Sequence, residues 1–153
     1  MKTILVPVDF SDVTGKIIEM AKTFAKAMGS HVVLLHVRQV EYFTEEQIPM
    51  ASGSFVFTPP VIVRAETEAT VQERLNEIIL QFAGMPVEAT TRQYEGLPLE
   101  MILQACEQEE ADMIVMGSHG HGAIYNLLVG SVTEGVLKSA KCPVLVVPSP
   151  RAQ

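Results

Sequence analysis

Apolar runs alternate along this chain with stretches of helical period. Thr3 to Val8 is apolar at consecutive positions, the pattern of a strand buried on both faces. Ser11 to Met28 places Val13, Ile17, Ala21, Phe24, Ala25 and Met28 on one helical face, with Ser11 able to cap its start and Gly29 its end. Val32 to Val37 is a second fully apolar run. A second helix is predicted from about Arg64 to Phe82, with Val71, Leu75, Ile78, Ile79 and Phe82 in register and Gly84 closing it. Val87 to Arg92 alternates apolar and polar positions, which predicts a half-exposed strand. Pro98 to Glu109 reads as a helix with proline in its first turn. Asp112 to Gly117 reads as a fourth strand, Ser131 to Ser139 as a last helix, and Val144 to Val147 as a final strand between Pro143 and Pro148.

Strands alternating with helices predict right-handed crossovers and a mostly parallel sheet covered on both faces. The strands apolar on both faces belong in the middle, and the alternating third strand belongs at an edge. The order 3-2-1-4-5 meets both demands. Its topological switch then falls between strands 1 and 4, where open α/β sheets bind ligands beyond the carboxyl ends of the strands. The turns after Val8 and after Met116 are therefore the predicted site.

The second turn holds the most pointed chemistry. Glycines at 117, 120, 122 and 130 allow close backbone approach, and Ser131 opens a helix whose N-terminus offers amide hydrogens and a positive dipole end. This is a phosphate-binding arrangement. It lacks the Gly-Lys-Ser/Thr of a Walker loop, and the first turn lacks a dinucleotide G-x-G-x-x-G. No Lys or Arg occurs from Gln93 to Leu137, so an anion there would meet amides, hydroxyls, histidines or accompanying Mg²⁺.

Gly117, two residues, Gly120, nine residues, then Gly130-Ser131 resembles the ATP-binding pattern of the universal stress protein family. The likeness extends to Val6-Pro7-Val8-Asp9, Leu35-His36-Val37 and Cys142-Pro143-Val144. It implies a single domain over 1–153, with an open five-stranded Rossmann-type sheet of the adenine nucleotide alpha hydrolase kind. It also implies a cytoplasmic stress-response protein binding ATP, AMP or ADP. Pro7, Val8, Asp9 and Val37 would then flank ribose and adenine, with Met116 and Gly117 lining the adenosine side. His119, Gly120, His121, Gly130, Ser131, Val132 and Thr133 would surround the phosphates. Many nucleotide-binding members carry arginine where this chain has His121. Mg²⁺ would come only with the phosphates, with Asp9 a candidate to help hold it.

Plainer roles exist for several of these residues. Ser131 and Glu134 have the spacing of a capping box, and Asp9 could cap the first helix. His119 and His121 alone are not a zinc set. His31 and His36 read as structural. Cys106 reads as inert packing, and Cys142 has no evident activating base. With no P-loop lysine, arginine finger or oriented base, efficient turnover is not expected; slow Mg-dependent hydrolysis would be the limit. A dimeric interaction module without nucleotide is the rival reading. An adenylating ligase is disfavoured because Pro7-Val8-Asp9-Phe10-Ser11 lacks the Ser-Gly-Gly loop that such relatives carry.

Charge and length narrow the partners. The net charge of −7 disfavours nucleic acid and anionic lipid. No apolar run reaches the ~18 residues of a membrane span, no secretory leader is evident, and two cysteines suggest no disulfide framework, all consistent with a reducing cytoplasm. The connection from Arg38 to Val63 is long; it reads as a loop with a short helix near Thr44 to Ile48, serving as a lid or as a docking segment for a protein partner. Val144 to Val147 is apolar on both faces yet ends the sheet, which predicts a homodimer through that edge.

Overall fold

Each central strand sends alternate side chains into two separate cores. In β1 (Thr3–Pro7), Ile4 and Val6 point to one face and Leu5 to the other. In β2 (His31–Arg38), Val32 and Leu34 share the first face, and Val33 and Leu35 share the second. All seven residues are fully buried, as the unbroken apolar runs require. The first core is closed by α1 (Thr14–Met28) and α2 (Glu68–Leu80) through Ile17, Ala21, Val71 and Leu75. The second is closed by α3 (Pro98–Gln108) and α4 (Ser131–Ser139) through Ile102, Ala105 and Val136.

The computed structural model describes residues 2–39, 41–43, 48–49, 55–56, 61–63, 66–120 and 129–149. Between β2 and α2 lie four short strands: β3 (Glu41–Phe43), β4 (Ile48–Pro49), β5 (Phe55–Val56) and β6 (Val61–Val63). The remaining strands are β7 (Ala89–Glu95), β8 (Met113–Gly117) and β9 (Val144–Val147). The main sheet has five strands in the order β7-β2-β1-β8-β9, every neighbouring pair parallel. This is the predicted 3-2-1-4-5 arrangement, with β1 in the centre and the alternating strand β7 at an edge.

Two capping expectations need correction. Ser11 does not cap α1: Val13 occupies the N-cap position without a side-chain hydrogen bond, and the Ser11 hydroxyl is buried with no partner. The Ser11 amide is instead held by Asp9 Oδ1 at 3.0 Å, an Asx turn that leaves the Ser11 carbonyl to accept from Thr14 N–H. The capping box does not form either. Gly130 is the N-cap of α4, Ser131 is already helical, and Glu134 pairs with Lys138 at 2.6 Å.

The long connection is not simply a loop. β3 pairs antiparallel with β6, and β4 with β5, as two separate two-stranded sheets. Ile48 lies in a strand, and Thr44 to Gln47 of the expected short helix lie outside the described residues. β7 also starts later and runs further than the alternation suggested, because Gln93 and Tyr94 still pair with His36 and Val37.

The contrast between centre and edge sets a stability test. Leu34→Ala, at a fully buried central position, should cost about 2–5 kcal/mol by urea denaturation. Arg92→Ala on β7, which removes a surface pair with Glu109 and a local bond to Thr91 O, should cost under about 1 kcal/mol.

Candidate functional site

β1 and β8 are neighbours, and the chain leaves them for opposite faces of the sheet. α1 follows β1 on the first face, and α4 follows β8 on the second. The carboxyl ends of the two strands therefore open into a shared crevice.

The β1 side of the crevice is fixed by long-range bonds. Val8 N–H donates to Leu35 O at 2.8 Å, and the buried His36 returns a bond from Nδ1 to Val8 O at 2.8 Å. His36 Nε2 lies 3.0 Å from Glu66 Oε2, whose other oxygen accepts from Arg74 Nη1 at 2.9 Å. Phe10 completes this group. Its ring stacks on His36 with centroids 4.5 Å apart, and the Arg74 guanidinium lies 4.0 Å from the Phe10 ring centroid. Phe10 has φ 60, a left-handed conformation costly for a bulky side chain and held here by its neighbours.

The β8 side is fixed by Ser118 and Thr133. Ser118 N–H donates to Val147 O at 2.9 Å, its carbonyl accepts from Gly130 N–H at 2.8 Å, and its hydroxyl accepts from Ser149 N–H at 3.0 Å. His119 Nδ1 also lies 3.0 Å from the Ser118 hydroxyl. Ser118 thus ties β8, the start of α4 and the end of β9 together. The buried Thr133 hydroxyl donates to Gly117 O at 2.9 Å, locking the first turn of α4 onto the strand end.

The glycines bring the two sides together. A Cβ at Gly120 would fall 2.6 Å from Asp9 Oδ2, so the glycine backbone lies directly against that carboxylate. A Cβ at Gly117 would press on Val13 and Ile17 of α1, at 3.1 and 3.2 Å. Gly130 is different: its backbone is extended at φ −72 and ψ 159, and an added Cβ would meet Ser118 O at an ordinary 3.4 Å. Among the described residues no side chain caps α4, whose N-cap, Gly130, has none to offer, and the helix starts with the amides of Ser131 and Val132.

Of the residues singled out by sequence, Asp9, Gly117, Gly120, Gly130, Ser131 and Thr133 converge at this crevice, with His119 beside Ser118. Val37, Met116 and Val132 pack into the core on the α3–α4 face, whereas Val8 packs into the opposite one. Pro7 is the half-buried last residue of β1. His121 lies outside the described residues. Local patterns gave no sign of Glu66 or Arg74. Phe10, His36 and Ser118 stood in stretches already singled out, but His36 was read as structural and no role was read for the other two.

Thr133 provides a direct test of this construction. Thr133→Val keeps the shape but leaves the buried Gly117 carbonyl unpaired, and urea denaturation should show a loss of about 1–3 kcal/mol.

Comparison with known proteins agrees with the fold and the family resemblance. The model of the "Universal stress protein family" matches residues 1–148. The universal stress protein MJ0531 of Methanocaldococcus jannaschii is 33% identical over 152 residues, covering 99% of this chain and 85% of that protein. The solved structure of MJ0577 from the same organism superposes with a TM-score of 0.72 at 27% identity, covering 99% of this chain and 98% of that one. A universal stress protein from Archaeoglobus fulgidus, solved in complex with dAMP, shares the fold at 20% identity with a TM-score of 0.64, covering 95% and 97% of the two chains. Its sheet order, its glycine spacing at the β1–β8 crevice and these matches together make the chain a member of the universal stress protein family.

Proposed function

We propose that this chain binds an adenine nucleotide, ATP first among them, and acts as a regulatory protein of the stress response in the cytoplasm. One observation carries the reading: at the crevice between β1 and β8, the start of α4 at Gly130-Ser131, which no side chain caps among the described residues, is tied to the end of β8, and Gly120 just beyond that strand lies against Asp9. Amide hydrogens at a helix start, with glycines that let a ligand approach, form an anion site without a cationic side chain. The dAMP complex of the Archaeoglobus fulgidus relative supports the same ligand class.

In this reading Pro7, Val8, Val37 and Met116 border the adenosine, and Asp9 binds a ribose hydroxyl. Gly120, His121, Gly130, Ser131 and Val132 receive phosphate. Gly117, His119 and Thr133 hold that segment in place, Thr133 through its bond to Gly117. Mg²⁺ would arrive with the phosphates, with Asp9 the carboxylate at the turn. Efficient hydrolysis is not expected, because the chain offers no P-loop lysine or arginine finger. Nucleotide would act by changing contacts with a second copy or with a protein partner.

Titration calorimetry with ATP, ADP, AMP and cyclic AMP, with and without Mg²⁺, tests the ligand class. Gly130→Ala is a clean probe because the fold has room for the added methyl. It should weaken binding tenfold or more, about 1.4 kcal/mol, with little change in stability. Unchanged affinity would contradict the role given to Gly130, and no heat with any nucleotide at millimolar concentration would contradict binding itself.

The edge strand supports the second part of the reading, assembly as a homodimer. Pro143 O and Val147 O accept from β8, so by strand alternation the backbone groups of Val144 and Val146 point away from the sheet. An apolar edge with outward backbone groups suits pairing with a second copy across a two-fold axis. Val146→Pro removes one outward N–H and leaves the β8 ladder intact. Sedimentation at micromolar concentration should show a dimer for the parent chain and a monomer for the variant; a monomeric parent would refute the dimer.

A further inference from the structure

Cys106 and Cys142 are 36 positions apart in the chain, yet their sulfur atoms lie 3.5 Å from each other. Cys106 is on the inner face of α3, and Cys142 stands two residues before β9. Both belong to the core between the sheet and the α3–α4 layer. The adjoining residues are joined across the same seam, with Lys141 Nζ 2.7 Å from Glu107 Oε1. Cys106 is buried at 7% exposure, while Cys142 is half-buried. Reading Cys106 as inert packing and Cys142 as lacking an activating base, residue by residue, misses this contact.

We propose that Cys106 and Cys142 are a reversible dithiol–disulfide pair, oxidised by hydroperoxides, that fastens α3 to the lead-in of β9. Cys142, the more accessible sulfur, reacts first. Its thiolate attacks the distal peroxide oxygen, the O–O bond breaks, and water or an alcohol leaves with the proton. The resulting sulfenic acid faces Cys106 Sγ, which forms the S–S bond and displaces the hydroxyl as water. The dithiol loses two electrons to the peroxide. A low-molecular-weight thiol restores the pair by exchange and is itself oxidised to its disulfide. Burial, aided by Cys142 and by the Glu107 charge, pushes the Cys106 thiol up to about 11, so it stays protonated and protected until its neighbour is oxidised.

The closed loop would run from 106 to 142 and contain β8, the whole Gly117–Ser131 segment and α4. Oxidation would therefore tie down both ends of the glycine segment and the approach to the edge strand. In a reducing compartment such a bond forms transiently, as redox-sensing disulfides do. This inference does not depend on the nucleotide reading.

The test uses the full chain, reduced, desalted and exposed to hydrogen peroxide. It is then denatured and alkylated without reductant. The oxidised protein should weigh about 2 Da less than the reduced one, resist alkylation at both cysteines, yield a 106–142 cross-linked peptide, and revert with dithiothreitol. Its thermal midpoint should rise. Cys106→Ser should leave a Cys142 sulfenic acid that dimedone traps, whereas Cys142→Ser should leave Cys106 fully alkylatable. Two alkylated cysteines after peroxide, a sulfinic acid at Cys142 without cross-link, or disulfides only between chains would each overturn the proposal.

Discussion

Two parallel strands side by side, with their chains leaving for opposite faces, determine most of this molecule. β1 continues to α1 over one core, and β8 leads to α4 over the other. At such a switch point a gap opens between the strand ends. β1 pairs with β8 at Ile4 and Leu5, whereas Val6 and Pro7 at its carboxyl end pair with β2, so β1 and β8 part just where the gap opens. A crevice walled by fixed backbone follows from topology before any particular side chain is considered.

What fills the walls follows from how closely they approach. Gly120 against Asp9, and Gly117 against Val13 and Ile17, leave no room for a side chain without movement. Thr133 and Ser118 then hold the glycine segment to β8 and β9 by hydrogen bonds to backbone. On the other wall, the left-handed turn at Phe10 is kept by stacking on His36 and by Arg74, itself bonded to Glu66 just ahead of α2. The same His36 grips the Val8 carbonyl. The strain at Phe10 is thus held by residues from β2 and from the start of α2, far from it in the chain. Such over-determination is what lets a costly backbone conformation persist beside a site.

The extent to which sequence revealed this depended on the range of the interaction. Consecutive apolar positions in β1 and β2, and alternation in β7, suffice to order the sheet, because burial on two faces or one is written into each strand alone. The glycine spacing from Gly117 to Gly130 was equally visible, since a strand, a loop and a helix start are contiguous. Capping was misjudged where it hinged on one residue: Ser11 loses its place to the Asx turn of Asp9, and Ser131 to Gly130. The His36–Glu66–Arg74–Phe10 group, the Ser118 bonds and the Cys106–Cys142 contact join residues far apart in sequence, so no local pattern announces them. The two small sheets between β2 and α2 were hidden for a related reason, their strands being only two or three residues long.

The central claim is that amide hydrogens at the start of α4 receive an anion while Asp9, across the crevice, holds the sugar. The most direct measurement is a crystal structure of the protein with ATP. Phosphate oxygens within about 3 Å of the Gly130–Val132 amides, and a ribose hydroxyl on the Asp9 carboxylate, are the predicted result. Phosphates directed away from the segment between Gly117 and Ser131, or nucleotide lodged elsewhere on the sheet, would contradict it.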